Sequence, residues 1–182
     1  MKINSKKTLT ILLTVVTFCI FLLSACSESQ DASSLNDGNK VVKEMAGSEQ
    51  INIRLYKYDV GVTDEPAETE LLVFEKDRLE KDTLNVLNEV FSSDELSLLN
   101  ATIDKENKCI TADLPEKVAT LLESSKQVAD ALTYEFVVTL QNIPDIEKVV
   151  LTIQGKKDCV GKYYDFKGTF VKTGEITFKK DT

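Results

Sequence analysis

The chain of 182 residues has no histidine and no tryptophan. Without histidine the commonest general base and metal ligand is missing, so Ser/His and Cys/His catalytic pairs are excluded. Seven glycines and three prolines are scattered along the chain. No glycine-rich loop opens a helix after a strand, which excludes a phosphate cradle of that kind. Positive charge is also in deficit: 22 Lys+Arg against 30 Asp+Glu leave a formal net charge of −8. Such a surface repels nucleic acid, whose affinity comes mainly from cationic contacts to phosphate. Nor is there a basic patch to hold an anionic membrane by charge.

A long apolar run occurs once, from Leu9 to Leu23, after the positive start of Lys2, Lys6 and Lys7. It is too short to span a bilayer comfortably as a helix, and it reads as a signal segment over residues 1–25. Leu23-Ser24-Ala25-Cys26 closes it and resembles a bacterial lipobox, which makes Cys26 the expected lipidation site. Two acyl chains, at about 0.8 kcal/mol per buried CH₂, hold a protein firmly where one does not. Loss of the three signal lysines and no acid takes the net charge from −8 to −11. Residues 26–50 are polar, with Val41, Val42 and Met45 as apolar relief. They cannot bury enough to fold alone and read as a lipidated flexible tether.

Folded sequence is expected over residues 51–182. Ile51, Ile53 and Leu55 alternate with polar neighbours as in a strand, and ELLVFEK reads as a second strand after a loop with Gly61 and Pro66. Leu84, Leu87, Val90 and Phe91 share one helical face within 81–91. Two strands flank a polar turn from Asp104 to Lys108, forming a hairpin.

The most informative stretch runs from Ile110 to Gly155 and reads as strand, long amphipathic helix, strand. Val128, Leu132, Phe136 and Leu140 recur every four residues, widened by Ala129, Ala131 and Val137. Ser124 or Ser125 can cap the helix start, and Asn142 with Pro144 closes its end. Val149, Leu151 and Ile153 then alternate in a strand stopped by Gly155. The aromatic tail, with Tyr163, Tyr164, Phe166 and Phe170, reads as core cover or as a partner-binding edge.

ITADLP before the helix and VVTLQNIPDIEKVVLTIQG across its end resemble the GerMN domain of sporulation and germination lipoproteins. The similarity extends more weakly back to about Ile51. At NEVFSSDELSLLNATI the family's Leu-x-x-Gly-Pro pattern is absent, so loop chemistry differs there. The resemblance implies an α+β fold similar to ring-building modules, a small mixed sheet with two helices packed on one face. It further implies a non-enzymatic role through envelope protein contacts in sporulation or germination, with no cofactor. An envelope module binding a small ligand or peptidoglycan is the alternative. An aromatic-lined cleft with convergent polar groups would favour that module, and a flat exposed strand edge would favour assembly.

No catalytic residue is assigned. Asp64, Glu65, Asp94, Glu95, Asp145 and Glu147 lie in polar turns and read as solvated surface. Asp113, before Leu114-Pro115, reads as a turn cap. No twelve-residue loop gives Glu68, Glu70 and the other acids calcium-ligand spacing, so no metal is expected. With Cys19 in the signal segment and Cys26 lipidated, Cys109 and Cys159 remain. A disulfide between them and two separate thiols are both open, and strand order decides. The two cysteines lie far apart if the last strand of the strand–helix–strand unit adjoins the second hairpin strand, and can meet if it lies beyond the first.

Overall fold

A computed structural model describes residues 49–92 and 96–182. The expected lipidation site and tether lie outside these residues. Among the described residues the fold is α+β, with two sheets where one was expected and four helices where two were. β1 (Gln50–Lys57) and β2 (Glu68–Glu75) form an antiparallel hairpin that stands as its own two-stranded sheet. The second sheet has five strands in sequence order: β3 (Asn100–Asp104), β4 (Cys109–Leu114), β5 (Lys148–Ile153), β6 (Thr169–Lys172) and β7 (Phe178–Asp181). All its neighbours are antiparallel except β4 and β5.

A short helix that was not expected, α1 (Lys76–Lys81), precedes the helix expected over 81–91, α2 (Thr83–Val90), and Asp82, whose φ of −143° is not helical, divides them. α2 buries Val86, Leu87 and Val90 as its periodicity requires. After β4, Pro115 starts the short helix α3 (Glu116–Leu122), where its missing N–H costs nothing. The long helix α4 (Lys126–Gln141) then begins at Ser125, whose Oγ accepts from the Val128 N–H at 3.2 Å. It ends just before Asn142, as the sequence indicates. Lys172 Nζ donates to the last helical carbonyl, Gln141 O, at 3.1 Å, placing a cation at the negative end of the helix dipole.

The crossover from β4 through α3 and α4 makes β5 parallel to β4, and Ile110, Ala112 and Leu114 stand beside Val149, Leu151 and Ile153. These side chains, with Ala101 and Phe170, form one buried cluster with Ile51, Ile53 and Leu55 of β1 and with α2, α3 and α4. Strands of both sheets and the helices α2, α3 and α4 therefore share one buried core.

The helical stripe holds only in part. Phe136, Val137 and Leu140 are buried, but Leu132 and Val128 are half-exposed. From Glu135 to Gln141 every residue is buried. The reason is a second packing surface. Ala131 and Val138 leave the main cluster and join Tyr56, Tyr58, Tyr134 and Phe178 on another side of α4. An amphipathic pattern records one buried face, whereas the second half of this helix is enclosed on several.

Candidate functional site

The hairpin shows what is open to partners. In β1 the residues facing the core, Ile51, Ile53 and Leu55, are buried. The Tyr56 end of its outer edge meets α4: the Tyr56 N–H donates to Thr139 Oγ1 at 3.1 Å, and Thr139 itself is fully buried. Tyr56 thus points its backbone away from β2, and Lys76 N donates to Glu49 O at 2.8 Å where the ladder extends past its other end. Antiparallel alternation then turns the N–H and C=O groups of the residues opposite Arg54 and Tyr56 outward. These are Leu71 and Thr69, and Val73 follows by the same period.

β2 has no strand partner other than β1 among the described residues. Leu71 and Val73 are 51% and 55% exposed, on the face they share with Asn52 and Arg54. Glu68 and Glu70 lie on the opposite face, are exposed, and make no salt bridge within the described residues. This is an unpaired edge eight residues long with apolar side chains on it. Exposed edges are commonly blunted by proline, a bulge or charged side chains. β2 has no proline and a continuous register, and its charges are Glu68, Glu70 and Glu75.

A cleft of about 350 Å³ lies between α1, the β3–β4 turn and the turn before β5. Its floor is Ile51, Leu79, Ile103 and Ile146, and no aromatic ring lines it. The rim lysines are already matched: Lys105 to Glu80 at 2.8 Å, Lys76 to Glu49 at 2.9 Å and Lys108 to Glu147 at 2.5 Å. The Lys108 ammonium accordingly holds the Glu147 carboxyl below its ordinary value. Such exposed pairs contribute little stability and leave no convergent set of unmet polar groups to orient a ligand.

Cys26 falls outside the described residues. Cys109 and Cys159 are both free thiols. The strand order explains this: Cys109 pairs with Lys148 at the first rung of the β4–β5 ladder. Cys159 Sγ lies 3.2 Å from Lys156 O, and Lys156 bridges to Ile153 at the last rung. The ladder's length separates the two thiols, so the disulfide held open from the sequence is not formed. Burial pushes the Cys109 thiol upward, away from the thiolate form that reactivity needs.

Asp113 lies within β4 and caps a distant turn rather than the one expected after Leu114-Pro115. Its Oδ1 accepts from Thr152 Oγ1 at 2.6 Å and from the Gly155 N–H at 2.7 Å, fixing the end of β5. Gly155 itself has φ of +73°, a left-handed turn suited to glycine. Asp145 and Glu147 are exposed turn residues beside the cleft, while Asp94 and Glu95 lie outside the described residues. In the tail, Phe166 and Phe170 are core, with Tyr163 and Tyr164 packed against it. Among the described residues no group of three potential ligands could hold a metal ion.

Sequence reasoning identified the β2 strand but passed over its surface. The signal was present: Leu71, Leu72, Val73 and Phe74 are consecutive, so a strand must send two of them to each face.

No family model matches the chain, and no curated protein does. Among solved structures, a crystal structure named "Putative Lipoprotein" from Clostridium perfringens aligns over 68% of this chain and 88% of its own. The identity is 20% and the TM-score 0.39. Overlap that low carries no conclusion about what this chain does.

Proposed function

We propose that the chain is a lipid-anchored envelope protein that works without catalysis, by contact with another protein, and that β2 is the contact surface. The observation carrying this reading is the unpaired β2 edge with Leu71 and Val73 exposed on it. Of the two surfaces that separate an assembly role from a ligand module, this edge favours assembly, since the cleft lacks aromatic lining and unmet polar groups. The anchor rests on Leu23-Ser24-Ala25-Cys26, and a setting in sporulation or germination rests on the GerMN resemblance of ITADLP and VVTLQNIPDIEKVVLTIQG.

A photo-crosslinking side chain placed at position 71 of the full-length protein in its native cells tests the surface. A discrete adduct is expected there and not at Thr102, an exposed position on β3. Equal labelling at both positions, or none at 71, would refute the reading. Cys26→Ala should abolish incorporation of labelled fatty acid, and a soluble wild-type protein with an unmodified Cys26 would remove the anchor.

A further inference from the structure

The geometry points to a specific occupant for β2: an extended segment of another protein, alternating basic and apolar residues, that adds as a third strand to the hairpin. This deepens the assembly reading and rests on it. The outward N–H and C=O groups of Thr69, Leu71 and Val73 offer the main-chain bonds that such strand addition uses. Period-two alternation then fixes what the incoming side chains meet. On one face they lie beside Leu71 and Val73, both exposed, and near Arg54, which stands opposite Leu71 on β1. Apolar residues fit there, and a second cation beside Arg54 does not. On the other face they meet Glu68 and Glu70 at the start of β2, two exposed carboxylates without salt-bridge partners among the described residues, which call for lysine or arginine there, and beyond them Leu72 and Phe74.

A second copy of this chain is the poorer fit. Antiparallel pairing sets outward-facing residues opposite one another, so self-pairing centred on Leu71 puts Glu68 and Glu70 opposite Phe74 and Leu72. The glutamates therefore meet cations on a basic strand and none on a copy of this one in that register.

The test uses the full-length protein in detergent and two labelled eight-residue peptides matching the length of β2. One alternates lysine with valine and the other glutamate with valine. Fluorescence anisotropy should show the lysine peptide bound and the glutamate peptide not. Leu71→Pro removes one outward N–H that β1 does not use, and should weaken binding by about tenfold through the lost bond. Methylating alternate backbone nitrogens of the peptide should weaken it likewise, with the protein untouched if the proline variant misfolds. The Glu68→Lys/Glu70→Lys pair should reverse the peptide preference. Binding that survives both backbone changes would mean charge alone holds the peptide, and would overturn the proposal. So would wild-type self-association abolished by Leu71→Pro, which would make a second copy the occupant. If neither peptide binds while position 71 still crosslinks in cells, the partner chemistry falls and the contact surface stands. If both fail, both fall.

Discussion

β1 and β2 are eight residues each and carry four hydrophobic side chains apiece, yet one is buried and the other lies largely open. The difference is arrangement. In β1, Ile51, Ile53 and Leu55 alternate, so one face is wholly apolar and meets the core, and Tyr56 turns to the second cluster beside α4. In β2 the four are consecutive, so Leu72 and Phe74 reach the core while Leu71 and Val73 face out. The edges differ in the same direction. Thr139 of α4 takes the outward N–H of β1, and among the described residues no strand takes those of β2. One strand holds the domain together, and the other is free to meet something else.

The largest expected effect comes from breaking β1. Ile53→Ala or Leu55→Ala should cost about 2–5 kcal/mol, because each side chain is fully buried and a cavity remains. Urea denaturation measures this, and a loss no greater than that of Leu71→Ala would erase the contrast.

Next is the edge contact. Thr139→Val keeps shape but strips the acceptor from the buried Tyr56 N–H, for about 1–3 kcal/mol. A neutral result would show that the helix covers β1 by packing alone.

Tyr58, just past β1, sharpens the comparison through pH. Its hydroxyl is buried without a partner, and burial, then the neighbouring Tyr134 and Tyr56, pushes its pKa from 10.0 to about 12. The neutral hydroxyl is favoured in the folded chain. Its contribution is fully present below about pH 10 and is lost as pH rises through about 12. Tyr58→Phe should leave stability at neutral pH unchanged or slightly higher, since an unmet buried hydroxyl is removed. It should also flatten the alkaline fall in the urea midpoint. An unaltered alkaline slope would place the titration elsewhere.

The smallest effect belongs to β2. Leu71→Thr and Val73→Thr should each change stability by no more than about 0.5 kcal/mol, while Val73→Thr abolishes the adduct at position 71 and Leu71→Thr that of a crosslinker placed at position 73. Large destabilisation would mean that the outer face of β2 belongs to the core after all.

Much of this was legible in the chain itself. Local pattern sufficed for both strands of the hairpin, the Ser125 cap and the end of α4 before Asn142, because each depends on neighbours a few residues away, whereas the partners of Asp113, Thr152 and Gly155, lie 39 and 42 residues on. The short helix α1 was not legible, since Leu79 is its one buried residue and six residues give no periodic stripe. Tertiary structure alone decided three things. It set β5 beside β4, which separates Cys109 from Cys159 by the length of a strand ladder. It enclosed the second half of α4 between two apolar clusters, so that a one-faced stripe became a helix buried all round. And it brought Thr139 to the outward Tyr56 N–H of β1 while no described strand pairs with the outer edge of β2, because a strand's hydrogen-bonding groups are the same in every residue and only what is brought beside them determines which are met.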